Sequence, residues 1–157
     1  MCENIELNNN VSSEDEREEL FEKRNSISRY KMREQAFILS FESLFSDTDI
    51  DELIDNASDA RDVFVSDYAV DCAKGIIAHK DEIDEKISAH LKTGWKIERI
   101  SKTALAILRV AIYEMLFSEE VPVSVSINEA VELSKKYSYE DDTAFINGLL
   151  GAVAKEL

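Results

Sequence analysis

A chain of 157 residues with a formal charge of −15, 45% hydrophobic and 32% charged, is long enough for one domain burying roughly 70% of the surface its unfolded form exposes. Four glycines and one proline exclude a turn-rich β-sandwich and a glycine-rich nucleotide loop, which leaves an all-α fold as the expectation. The acidity repels phosphate backbones at long range and attracts basic partners, so a nucleic-acid role has to rest on local features.

Residues 1–27 read as an acidic, partly disordered leader, with eight acids from Glu3 to Glu22 against Arg17, Lys23 and Arg24. Its start, MCENIELNNN, lacks the basic and apolar regions of a signal peptide. No run of about 18 uninterrupted apolar residues follows anywhere, so the chain is expected in the cytoplasm and away from membranes. A helix over Ser13 to about Lys23 is compatible with a capping box of Ser13 and Glu16.

From Ser28 onward the periodicity is helical. Phe37, Phe41, Leu44 and Phe45 recur at i, i+4, i+7 and i+8 before SDTD breaks the pattern, and a short helix is expected over Ile50–Ala57. Tyr68, Cys72, Gly75, Ile76 and His79 share one face; after Asp81, Ile83, Ile87, His90 and Leu91 share another. Such short, closely joined pieces suit a helical bundle.

Residues 101–118, SKTALAILRVAIYEMLFS, carry so wide an apolar stripe (Ala104, Ile107, Leu108, Ala111, Ile112, Met115) that they should form the central helix. Pro122 fits the link that follows, and Ser126 with Glu129 makes an S-x-x-E start for the next helix. The last helix is expected to begin near YEDDTAF with Asp142 as its cap. Its inward face then reads Phe145, Gly148, Leu149, Ala152, with Gly148 permitting close helix contact. Asn147 turns away from that face, its amide left either to tie down a neighbouring backbone or to meet a ligand.

Cys2 and Cys72 are isolated thiols with only His79 and His90 as potential helpers, a poor zinc set, so neither metal nor cofactor is expected. Cys72 reads as a small buried hydrophobe and the histidines as helix-face residues. Arg109, Glu114 and Glu129 lie beside apolar stripes without a nucleophile or phosphate loop; a structural ion pair involving Arg109 is expected, and no enzyme.

Four stretches, AKGIIAHKDEIDEKISAHL, WKIERISKTALAILRVAIYEM, VPVSVSINEAVELSKKY and FINGLL, in this order and spacing, resemble the NusB transcription antitermination factors of bacteria. The resemblance spans about Ser28 to Val153. It implies an all-α fold of about seven helices in one domain, residues 28–157, built as two small packed bundles, about 28–93 and about 94–157. It also implies a non-enzymatic factor that binds boxA-like single-stranded RNA together with NusE, a small-subunit ribosomal protein, within the transcription elongation complex, to suppress termination, notably in ribosomal RNA synthesis.

By this resemblance SRYKMRE carries the RNA contacts Arg29, Lys31 and Arg33. Phe145 and Asn147 of the last helix are added as RNA candidates, with the structural tie the favoured role of the Asn147 amide. Arg29 and Arg33 share a face, whereas Lys31 points some 200° away. The bland reading of the three cations is a solvated counterweight to the acidic leader, which could also lie over them as a competitor. Glu98, Arg99 and Lys102 fall where the ribosomal protein docks, while Ala104-Leu105 stands where family members often carry an Asp-Arg pair. Trp95 beside Lys96 is compatible with base stacking but is expected to anchor the two bundles. The alternative function is a helical scaffold or homodimer of this fold with little RNA affinity, favoured by the −15 charge and the sparse basic cluster.

Overall fold

A computed structural model of the chain describes residues 14–61 and 65–157. The described residues form seven α-helices: α1 (Glu14–Ser43), α2 (Ile50–Arg61), α3 (Asp67–Ala78), α4 (Lys80–Ala89), α5 (Lys102–Phe117), α6 (Val123–Tyr137) and α7 (Glu140–Ala154). A 3₁₀ turn at Ile97–Arg99 lies between α4 and α5. The fold is all-α as expected, with this turn as an eighth, short helical element.

Local chemistry explains most boundaries. Ser66 accepts from the Ala69 amide to cap α3, and Ser101 accepts from the Ala104 amide to cap α5. Three acids, Glu140, Asp141 and Asp142, stand in the first turn of α7, where the helix dipole favours them. Three boundaries differ from the sequence expectation. The two helices expected around Ser13–Lys23 and after Ser28 are one 30-residue helix, because no glycine or proline interrupts residues 14–43. Residues 14–27 therefore continue α1 and do not fold back over its basic turn; the rest of the leader lies outside the described residues. The start of α6 is at Val123 after Pro122, so Ser126 sits inside the helix and is buried. In α7 the cap position is Tyr139, and Asp142 instead accepts from the Ser138 and Ser101 hydroxyls, tying α7 to the start of α5.

α5 is the central helix. Eleven of its residues are buried, and it packs against α1, α3, α4, α6 and α7. Ile107, Leu108 and Ile112 are fully enclosed, each contributing about 1.5–3 kcal/mol of burial. Ile83 and Ile87 enter this core from α4, Leu133 from α6, and Ile146, Leu150 and Val153 from α7. α3 crosses α5 closely at Gly75, where an added Cβ would overlap the Tyr113 ring. Arg109 makes the expected ion pair, its Nε and Nη2 each donating over 2.9 Å to the two carboxylate oxygens of Asp84, which locks α4 to α5. Cys72 is buried as expected, and burial pushes its thiol well up from 9.0.

Two packing expectations are corrected. Trp95 is 49% exposed in the loop Lys92–Trp95, which turns through Gly94 at φ +84°, and it stands outside the hydrophobic core among the described residues. Gly148 is exposed, with open space where a Cβ would stand. The buried face of α7 is Ile146, Leu149, Leu150 and Val153, rotated from the expected stripe. Both stripes obey helical spacing, and the docking of α7 on α5 and α6 selects between them.

Candidate nucleic-acid interface

The apolar stripe of α1 is wider than the surface that covers it. Phe37 is buried, Phe41 is half-buried, and Phe45 stands 61% exposed. The rings of Phe41 and Phe45 meet edge to face at 4.8 Å, and Phe37 and Phe41 lie 6.0 Å apart. The last turn of α6 extends this row, placing Tyr137 4.9 Å from Phe37. Lys136 follows, its Nζ 5.3 Å from the Tyr137 ring centre and 6.0 Å from that of Tyr30. At the opposite end Lys102, the first residue of α5, holds its Nζ 5.3 Å from the Phe45 ring.

These contacts make one continuous row, Tyr30, Lys136, Tyr137, Phe37, Phe41, Phe45, Lys102. From Tyr30 to Phe41 the row follows α1 for about 16 Å at ~1.5 Å per residue, and Phe45 continues it just past the end of the helix. Cation–π contacts of this kind are worth about 0.5–1 kcal/mol at exposed sites, enough to bias where the ammonium groups rest. Lys136 is also set by Glu34, whose carboxylate it meets at 2.6 Å, and that hydrogen bond raises its pKa. Burial, then Glu34, raises Tyr30, and burial raises Tyr137, so both present neutral phenols. Aromatic faces bordered by ammonium groups offer stacking for bases and charge for the phosphates between them.

The sequence-predicted residues divide. Arg29 and Lys31 are exposed. Arg33 is buried, with its Nε 3.0 and 3.2 Å from the carboxylate oxygens of Glu114, itself 1% exposed. The expectation of three outward cations therefore reduces to two. The Ser126 hydroxyl donates to the same carboxylate over 2.6 Å, and the Tyr68 hydroxyl donates to its other oxygen. Burial works against the Arg33 charge, but the bond and charge of Glu114 outweigh it and its pKa is raised. Burial, together with Cys72 and Glu114, pushes the Tyr68 hydroxyl far above 10.0, which keeps it a donor. One oxygen of Glu129 is buried nearby without a hydrogen-bond partner among the described residues, beside a cavity of about 10 Å³, room for one water.

Glu98 and Arg99 are exposed on the 3₁₀ turn, and Lys102 joins them to the Phe45 end of the aromatic row. Phe145 packs half-buried against the core. Asn147 is exposed, and its amide makes no hydrogen bond among the described residues, so the geometry gives the structural tie no support. Accordingly Asn147→Ala should change stability by less than about 0.5 kcal/mol, as for other free surface positions. Urea unfolding checks this; a cost above 1 kcal/mol would restore the structural reading. Sequence reasoning missed Tyr30, Phe41, Phe45, Lys136 and Tyr137 as a surface. The available signal was the four-residue spacing of Phe37, Phe41 and Phe45 together with the Lys-Lys-Tyr run that ends α6.

Comparison with known proteins places this geometry in context. A family model described as the NusB family matches residues 25–155. A transcription antitermination protein NusB from Clostridium botulinum (strain Kyoto / Type A2) is 44% identical over 142 residues, covering 80% of this chain and 98% of the relative. The NusB of Acetivibrio thermocellus is 44% identical over 129 residues, covering 81% and 88%. Among solved structures, T. maritima NusB superposes with a TM-score of 0.72 at 32% identity, covering 82% of this chain and 91% of that one. A chain from a complex of the antitermination factors NusB and NusE with dsRNA superposes with a TM-score of 0.73 at 26% identity, covering 82% and 98%.

Proposed function

The chain belongs to the NusB family of transcription antitermination proteins, and from that premise we propose that it binds boxA-like single-stranded RNA along the aromatic row of α1 and α6, jointly with a NusE-type ribosomal protein. The observation that carries this reading is the unbroken row from Tyr30 to Phe45, bordered by Lys136 and Lys102. Unstacked bases can lie on the exposed and half-buried rings of Tyr30, Tyr137, Phe41 and Phe45, with Phe37 buried between them, whereas a duplex hides its base faces, so the row favours a single strand. Arg29, Lys31, Lys102 and Lys136 supply the phosphate contacts, and Asn147 offers a free amide to a base edge.

The partner docks at Glu98, Arg99 and Lys102. Because Lys102 belongs to both surfaces, RNA and protein meet at the Phe45 end of the row. A basic partner also offsets the −15 charge that opposes RNA alone, so affinity rises when it is present. Bound together in the cytoplasm on a nascent transcript, the pair joins the elongation complex and suppresses termination, notably in ribosomal RNA synthesis. The chemistry is recognition and assembly, with no bond made or broken.

Titration of a boxA-like RNA against a scrambled control, with and without the NusE-type protein, tests this. A preference of tenfold or more for the boxA-like strand is expected with the partner, and weaker binding by the chain alone. With at most four cations engaged, the log–log salt slope for the chain alone should be no steeper than about −3. Equal affinity for both RNAs in both conditions would reject the reading in favour of a helical scaffold.

A further inference from the structure

Arg29 and Tyr30 also border a groove of about 780 Å³ whose other walls the RNA reading does not use. It opens between α1 at residues 29–33, Tyr68 at the start of α3, and the stretch 117–125, which spans the end of α5, the link 118–122 and the first turn of α6. Met32, Val121 and Val125 give it apolar walls, and Phe117 leaves 39% of its surface exposed at one side. Glu119 and Glu120 are exposed on the linking segment, and Glu129 lines the groove from α6. On the basic side are Arg29 and Arg33, and Arg33 is already neutralised by Glu114. Three carboxylates thus face one uncompensated cation.

We propose that this groove docks a protein segment that presents apolar anchors flanked by lysine or arginine. The apolar walls supply burial and the acidic rim selects the sign of the flanking charge, which is how helical and extended segments are read by grooves. Charge also decides between occupants. A phosphate backbone meets the repelling rim, in contrast to the cation-bordered row beside it. The chain's own residues 1–13 carry Glu3 and Glu6 and no lysine or arginine, the wrong sign for the rim. A second copy brings another −15. The groove shares Arg29 and Tyr30 with the proposed RNA surface, but the residues that select its occupant, Glu119, Glu120, Val121 and Val125, belong to the groove alone.

The test is an amide-shift titration of the isotope-labelled full chain with an amphipathic nonapeptide of leucine and lysine, with affinity followed by fluorescence. Saturable shifts are expected at Phe117, Glu119, Glu120, Val121 and Val125. Affinity should fall at least tenfold in Glu119→Lys with Glu120→Lys, and likewise in Val121→Arg, which blocks the groove from a loop position. The charge-matched pair Asp81→Lys with Glu85→Lys, exposed on α4, should leave affinity unchanged. A peptide with glutamate in place of lysine, or serine in place of leucine, should not bind. Equal losses in the charge-matched variant, or shifts centred elsewhere, would overturn the proposal by showing non-specific attraction. It would be overturned equally if the peptide displaced residues 1–13 from the groove, or if the boxA-like RNA moved these same amides.

Discussion

Glu114→Ala should cost about 3–5 kcal/mol of stability, because it leaves the buried Arg33 charge without its partner. For a domain of this size that lowers Tm by roughly 6–20 °C, at about 2–4 °C per kcal/mol. The carboxylate is the hub of a network joining four elements: Arg33 on α1, Tyr68 on α3, its own α5 and Ser126 on α6. Removing it strands two hydroxyls as well as the guanidinium, and each unpaired buried donor adds a penalty. Arg33→Ala should fall in the same range for the converse reason. The paired replacement Arg33→Met with Glu114→Leu should recover most of the loss, since a buried ion pair can be exchanged for apolar side chains at little cost. Thermal unfolding followed by far-UV circular dichroism reads all three. A loss under 1 kcal/mol in Glu114→Ala would show that the network is not a structural brace. The paired variant also separates stability from recognition: its RNA affinity should match the parent chain, and a fall would return Arg33 to the RNA contacts.

Phe45→Ala and Tyr137→Ala should each weaken boxA-like RNA by about 5- to 150-fold, the equivalent of losing one stacked base at about 1–3 kcal/mol. These two rings are chosen because they are the exposed members of the row, at 61% and 38%, so truncation removes little core packing. Phe37 and Phe41 would confound the result, since both pack against the core. Lys136→Ala should act mainly through salt dependence, flattening the log–log slope by about 0.7 while the preference for boxA-like over scrambled RNA persists. Affinities of the Phe45 and Tyr137 variants within twofold of the parent, with the helical signal intact, would move the RNA off this row.

Much of the architecture was legible from local pattern. The dense stripe of residues 101–118 marked the central helix, and Arg109 read correctly as a structural cation. Boundaries failed where two local rules competed. Ser126 and Glu129 satisfy the spacing of a capping box, yet Pro122 is also a good helix opener and starts α6 one turn earlier, leaving the serine hydroxyl free to reach Glu114.

The proposed RNA surface was legible only in part, and for a different reason. Periodicity gives the angle at which a side chain leaves its own helix; it carries no information about which angles another helix covers. Phe41 and Phe45 follow the same stripe as Phe37, and only the docking of α5 and α6 leaves the end of that stripe open. Arg29 and Arg33 likewise share a face by spacing, but the carboxylate that draws Arg33 inward lies 81 residues away in sequence. Composition, charge and helical period by themselves determined an acidic all-α chain with residues 101–118 at its centre. The tertiary structure decided which aromatics remain outside, which arginine is a brace, and that Lys102 and Lys136 border one row, because those outcomes depend on contacts between helices far apart in the chain.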